Sequence, residues 1–307
     1  MTRSNTRSRG ALRIGINPIG WSNDDLPWLG GDTPLEVALG EGAAIGYEGF
    51  ELNGKFPKDA ARVGRVLAAH GLALVSGWYS GRLARLTARE EIAAIEPHLR
   101  LLEANGANVL VYGETADSIQ GQRRPLIERP VFRTSAEWRT YADALTGLAR
   151  HTLQRGVRLA YHHHMGAYVQ SPEDIDQLMA ATGEEVGLLL DTGHCYLGGG
   201  DPLEVLRAHS DRVCHVHCKD VRTAVAELSR NRCWSFPECI VNGVFTVPGD
   251  GDLDFQGVVA KLTASGYAGW LVVEAEQDPA VAPSAVYAKK GFEALRLLLQ
   301  TEPGARM

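Results

Sequence analysis

Short runs rich in β-branched and aromatic residues alternate along the chain with longer segments whose apolar positions recur every three to four residues. The short runs predict strands over Leu12–Asn17, Gly49–Asn53, Ala73–Trp78, Asn108–Tyr112, Arg158–His163, Glu185–Leu190, Arg212–His217 and Trp270–Ala275. Between and after them the longer period predicts helices over Pro34–Ile45, Asp59–His70, Arg89–Asn105, Ala136–Arg155, Pro172–Ala181, Pro202–Ala208, Phe255–Ser265 and Val281–Gln300. Thr33, Ser171 and Asp201 each stand before a proline, the order expected of a capping side chain ahead of a first-turn proline. Glycines at 71, 106, 156 and 266 close four of the helical segments.

Eight strand–helix units in 307 residues average about 38 residues each, the size of a single α/β domain built as a (β/α)8 TIM barrel. An open doubly wound sheet is the competitor, but it usually carries a glycine-rich phosphate turn after its first strand, and Ile16-Asn17-Pro18-Ile19-Gly20-Trp21 has none. The barrel is expected to occupy residues 11–307, after a flexible polar leader over residues 1–10. The one long connection expected, residues 219–252, reads as a loop of functional length, most often a lid.

With 45% apolar residues the chain can bury a full core, and its 31 basic against 37 acidic side chains lack the basic footprint of a nucleic-acid binder. No run approaches the roughly 18–20 apolar residues of a membrane span, and the first ten residues hold no apolar signal core, so a cytoplasmic protein is expected. Five cysteines without a CxxC pair read as reduced, structural thiols. Histidine is what composition singles out: seven of ten (His162, His163, His164, His194, His209, His215 and His217) fall within 56 residues.

A barrel carries its chemistry at the C-terminal ends of its strands, and strand alternation decides which side chains enter the lumen. Small Ala160 followed by His162 and His164 suits the lumen, leaving His163 outside. Asp191 ends an apolar strand and His194 follows one turn later. His215, His217 and Lys219 share one face of the next strand, with Cys214, Val216 and Cys218 on the other, while Glu274 and Glu276 share a face after Trp270-Leu271-Val272-Val273. A lone strand-end histidine is more often a hydrogen-bonded core residue, and Asp191 alone would pass as a helix cap. Four successive strands ending in His, Asp, His and Glu instead point to a divalent cation, because unpaired imidazoles and carboxylates in a dry lumen are costly.

These strand ends resemble the xylose-isomerase-like, or sugar phosphate isomerase/epimerase, barrels, whose signature matches Asp191-Thr192-Gly193-His194, His217-Cys218-Lys219-Asp220 and Glu274. Within that family the inosose dehydratases, which act on 2-keto-myo-inositol (scyllo-inosose), are similar over residues 15–25, 46–57, 161–166 and 273–279. The active site is then expected at the C-terminal ends of the strands, with the metal on His162, Asp191, His217 and Glu274. The resemblance implies Mn2+ or Co2+, and Zn2+ would satisfy the same ligands. Sugar epimerases of this fold usually have a glutamate where His162 stands, which puts two-base epimerisation in doubt.

Related dehydratases place the proton-abstracting histidine where His164 stands here, with Glu51 or Glu276 in reserve. His194 or Lys219 would protonate the departing hydroxyl or anchor substrate oxygens, and Lys219 serves equally as a lumen partner for Asp191. Glu51 and Lys55 would grip ring hydroxyls, Glu276 would bind substrate, and Trp21 and Trp78 would wall a cyclitol ring. The reaction implied is dehydration of a cyclitol ketone by α-proton abstraction and β-hydroxide loss in myo-inositol catabolism. The alternatives are a metal-dependent ketose epimerase or isomerase, or a sugar-binding barrel without turnover. The partner expected is this small molecule, with neither nucleic acid nor membrane, and homo-oligomerisation stays open.

Overall fold

The computed structural model describes residues 12–301; the expected leader over residues 1–10 lies outside the described residues. The strands are β1 (Leu12–Ile16), β2 (Gly49–Leu52), β3 (Ala73–Gly81), β4 (Val109–Glu114), β5 (Arg158–His162), β6 (Gly187–Asp191), β7 (Val213–Cys218), β8 (Asp220–Val221), β9 (Phe245–Thr246) and β10 (Gly269–Val273). All except β8 and β9 close into one parallel barrel in the order β1-β10-β7-β6-β5-β4-β3-β2. Helices α1 (Leu35–Ile45), α2 (Ala60–Ala68), α3 (Ala88–Ala104), α4 (Ser135–Gln154), α5 (Pro172–Ala181), α6 (Thr192–Leu197), α7 (Pro202–His209), α8 (Thr223–Asn231), α9 (Phe236–Val241), α10 (Phe255–Ser265) and α11 (Ser284–Thr301) make the connections and the final wrap. The single (β/α)8 barrel expected from the strand–helix count is the fold.

Caps set several of these boundaries. Ser171 and Asp201 accept from the amides of Asp174 and Leu203, as their place before a proline implies. Thr33 does not: α1 begins one residue later, after Pro34, with no side-chain cap. Gly266, at the C-cap of α10, takes φ +77°, a left-handed turn that a side chain would strain.

Alternation by two sorts each strand between the helices and the lumen. On β10, Leu271 and Val273 join the main core under the helices, while Trp270 and Val272 enter the lumen beside Val75. Gly49 makes room for that indole, since a Cβ there would lie 2.9 Å from the Trp270 ring and 2.8 Å from Val75. A second lumen layer holds Val109, Val111, Ala160 and Leu189. Cys214 packs against this layer rather than against a helix. The register shifts between Leu188 and Leu189, so β7 carries one extra residue opposite β6 and Cys214 turns inward beside His215.

Residues 219–252 hold ordered structure where a long loop was expected: β8 and β9 pair antiparallel and flank α8 and α9. Their apolar side chains, including Val221, Ala226, Phe236, Ile240 and Phe245, form a core of their own with Leu26, Leu29, Met165 and Leu197 from the barrel rim. Asp220 ties this insertion down, its buried carboxylate accepting from the amides of Val221, Gly249, Gly251 and Leu253 at 2.8–3.1 Å. Two further connections are as prominent, residues 17–34 and 115–134, each holding one short 3-10 turn, so 219–252 is not the one long connection.

Candidate active site

The last inward residue of each strand from β5 to β7, together with the first beyond β10, meets its counterparts in the lumen. His162, Asp191, His217 and Glu274 each offer a ligand atom within 4.8 Å of the others, all buried. Asp191 divides its carboxylate: Oδ1 accepts from the amide of His194 at 2.8 Å and caps α6, while buried Oδ2 has no hydrogen-bond partner among the described residues. It lies 3.3 Å from Lys219 Nζ, 3.5 Å from His217 Nδ1 and 3.7 Å from His162 Nε2. His162 Nδ1 donates to the carbonyl of His163 at 2.6 Å, which leaves the Nε2 lone pair aimed at the cluster. His217 Nδ1 faces Glu274 at 3.0 Å, and its Nε2 faces Glu51 at 3.1 Å. His163 lies buried outside the lumen, its Nε2 accepting from the Asp191 amide at 3.4 Å.

Glu51 sits below this cluster with its carboxylate fully engaged. His215 Nε2 is 2.8 Å from Oε1, Asn17 donates to Oε2 at 2.9 Å, and the Ser76 hydroxyl donates as well. Burial alone would raise the Glu51 carboxyl, but His217 and His215 outweigh it and hold it well below the usual carboxylate range. Burial would likewise discharge the His217 ring, yet Glu274 and Glu51 hold its pKa well above the ordinary value. Glu51 thus orients His217 from behind instead of reaching a ring hydroxyl.

Lys219 is the one ammonium in the lumen among the described residues, completely buried. Its Nζ lies 2.7 Å from Glu274, 2.8 Å from Glu276 and 3.3 Å from Asp191, and donates to His194 Nε2 at 2.9 Å. These carboxylates raise its pKa against burial. The Asp-Thr-Gly-His sequence builds the niche: Thr192 Oγ1 bonds both the carbonyl of Lys219, at 2.7 Å, and its amide, at 3.0 Å. Gly193 lets the stem pass, because a Cβ there would lie 2.5 Å from Lys219 Cγ. Burial would raise the Asp191 and Glu274 carboxyls; Lys219 and His217 overcome it and bring both to about 2.

A second buried group joins His164, His194 and Glu276. His164 Nδ1 donates to the Met165 carbonyl at 3.0 Å, leaving Nε2 as the ring's lone-pair atom. A small cavity of about 70 Å³ at this end of the barrel is lined by His162, His164, Glu274 and Glu276, with Trp78, Asn17, Ile19, Leu52, Asn53, Asp24, Asp25 and Gln120 around them. Trp78 meets His162 and His164 edge to face at 5.4 and 5.7 Å. Trp21 and Lys55, expected on this wall, are elsewhere. The Trp21 indole donates to Glu41 at 2.6 Å and packs in the core against Phe50, while the exposed Lys55 ammonium donates to the Gly31 carbonyl. Neither His194 nor Lys219 lines the cavity: His194 Nε2 is occupied by Lys219, and its ring is sandwiched by His164, Phe236 and Phe245.

Several residues of the site had no separate role in the sequence reading. His215 was legible as the lumen neighbour of His217, but Asp25, Gln120 and the two phenylalanines come from connections with no period to place them.

The donor set fits a divalent cation. One carboxylate oxygen without a hydrogen bond, two imidazole nitrogens and Glu274 converge in a buried site, and the backs of both imidazoles are held by a carbonyl and a carboxylate.

A model of the xylose isomerase-like TIM barrel matches residues 39–298. The chain belongs to that family. Within it the chain falls among the inosose dehydratases, and it is an enzyme. A protein named inosose dehydratase from Geobacillus thermodenitrificans is 44% identical over 288 residues, 93% of this chain and 96% of its own. Rhizopine catabolism protein MocC of Rhizobium meliloti is 49% identical over 286 residues, covering 93% and 88%. A crystal structure of the IOLI protein with a bound zinc atom superposes with a TM-score of 0.68 at 15% identity over 93% of this chain and 97% of that one, a likeness of fold. Among the described residues no helix is long and apolar enough to cross a membrane.

Proposed function

We propose that this enzyme removes water from 2-keto-myo-inositol, with His162, Asp191, His217 and Glu274 holding a divalent cation, Mn2+ or Co2+ in first place and Zn2+ as a further fit. The observation that carries the reading is the opening of His164, Glu276 and two of those four residues onto one cavity. When bound, the cation supplies Lewis acidity to the ketone oxygen, where charge develops as the neighbouring C–H bond breaks. The relatives named inosose dehydratase support this choice of substrate over an epimerisable ketose.

His164 Nε2 takes the α-proton, since its Nδ1 proton is fixed on the Met165 carbonyl and the ring is aligned by Trp78 and His194. The C–H electron pair moves toward the ketone oxygen, then returns to form the carbon–carbon double bond as the C–O bond of the β-hydroxyl breaks. Glu276 lines the cavity, and burial pushes its carboxyl up to about 8 although Lys219 draws it down, so the carboxyl is protonated near neutral pH and delivers that proton to the departing oxygen, which leaves as water. The proton gained by His164 restores Glu276; the two offer atoms within 4.8 Å of one another. Phe236 and Phe245 pack on the imidazoles and exclude bulk water from that side.

The test is incubation of the Mn2+-loaded protein with 2-keto-myo-inositol. Growth of an ultraviolet-absorbing diketone, with loss of one water in the mass spectrum, is expected. A product of unchanged mass would overturn the dehydratase reading in favour of an epimerase or isomerase, and no product at all would leave a sugar-binding barrel.

A further inference from the structure

We propose that Asp25 and Gln120 together form the receptor for the ring hydroxyls farthest from the metal ligands, and that the hydrogen bond between them closes the mouth of the site. This rests on the polyhydroxy-ring substrate of the preceding section. The insertion side offers no entrance, because Phe236 and Phe245 lie against His164 and His194 within an apolar core. The mouth therefore lies between the connection after β1, which carries Asp25, and the connection after β4, which carries Gln120. At about 70 Å³ the cavity is far below the roughly 300 Å³ at which small-molecule pockets begin, so these walls must part for a six-carbon ring to enter.

Gln120 Nε2 donates to Asp25 Oδ1 at 2.9 Å, joining the two connections across 95 positions of sequence. Each side is set locally. Asn23 Oδ1 accepts from the amides of Asp25 and Leu26 at 2.9 and 2.7 Å, and the Ser118 hydroxyl donates to Gln120 Oε1 at 3.0 Å. With those bonds made, one Nε2 hydrogen of Gln120 and Oδ2 of Asp25 have no partner among the described residues, a donor and an acceptor on two hydrogen-bonded side chains. A hydroxyl both donates and accepts, so two neighbouring ring hydroxyls complete this pair, and a phosphate facing the Asp25 carboxylate would be repelled. Entry breaks the Gln120–Asp25 bond; seating the ring replaces it with bonds to substrate.

The experiment compares the Mn2+-loaded parent with Asp25→Ala and Gln120→Ala. Both side chains are partly exposed, so truncation does not open the core. Without substrate, the rate at which a chelator in excess removes Mn2+ should rise about tenfold in each variant, the equivalent of one charge-assisted hydrogen bond. Gln120→Glu sets two carboxylates face to face and should speed release at least as much. With substrate, KM should rise about tenfold at nearly unchanged kcat, the signature of binding lost equally from ground and transition states. Among inososes deoxygenated one position at a time, the parent should reject one or two that Gln120→Ala no longer distinguishes. Unchanged metal release in all three variants, or parent-like discrimination in Gln120→Ala, overturns the proposal. If the parent turns over no inosose, the dehydratase reading falls, and metal release alone decides the closure.

Discussion

Lys219→Met removes the lumen's ammonium while keeping a stem that still fits over Gly193. Asp191, Glu274 and Glu276, all buried and all within 3.3 Å of Nζ, lose their ammonium partner in the metal-free protein, and only Asp191 and Glu274 keep the charged His217 ring beside them. Breaking a buried ion pair by deleting one partner costs about 3–5 kcal/mol. At roughly 2 °C per kcal/mol for a chain of this size, the metal-free variant should melt about 6–10 °C below the parent. Mn2+ then works in the opposite direction. Near Asp191 and Glu274 it no longer competes with the Lys219 ammonium, so it should bind the variant more tightly and raise its Tm further than it raises the parent's. Scanning calorimetry of both proteins, with chelator and with saturating Mn2+, supplies all four midpoints. An unchanged metal-free midpoint, or a smaller metal-induced rise in the variant, would refute the reasoning, because either would mean that Lys219 is not the counter-ion of these carboxylates.

Glu274→Gln should lower bound metal in elemental analysis of the purified protein, whereas His164→Ala should keep its metal and lose about 10²–10⁴-fold in kcat. Gly193→Ala drives a methyl into the Lys219 stem and should cost about 1–3 kcal/mol in urea unfolding; a cost near zero would mean that the stem has another path. Glu114, buried at the end of β4, has its carboxyl pushed up by burial to about 7 from an ordinary 4.5, with the Ala116 and Ala84 amides and the Tyr112 hydroxyl only partly offsetting this. Its folded pKa exceeds its unfolded one, so its stabilising contribution is complete below pH 4.5 and is lost as pH rises through about 7. Glu114→Gln cannot ionise and should gain roughly 3 kcal/mol on the parent between about pH 4 and pH 8, read from urea midpoints at each pH.

The inward set of the site was legible because two rules act locally: strands alternate by two, and barrels carry chemistry past their strand ends. Ala160-Tyr161-His162-His163-His164 and Val272-Val273-Glu274-Ala275-Glu276 need nothing else to place their lumen members. What was not legible depends on partners distant in sequence. Glu51 reads as a free strand-end acid, but His215 and His217, more than 160 residues on, occupy its oxygens. Cys214 reads as outward because a bulge has no local signature, and Trp21 follows β1 closely yet turns into the core where Glu41 accepts its N–H. The insertion misled for a related reason: its two helices are short and bury their apolar faces on one another and on the barrel rim, with no barrel strand between them to mark a repeating unit.

Asp220 couples the insertion to the lumen. Its carboxylate takes amide hydrogens from three residues at the far end of the excursion, and it adjoins Lys219 in sequence. A lineage that shortened the excursion would strand a buried acid one position from the lumen's ammonium, and one that replaced Asp220 first would loosen the excursion before shortening it. Either change made alone lowers stability. The roof and the charge centre are therefore coupled through one carboxylate, and a change in the length of the excursion is felt in the lumen.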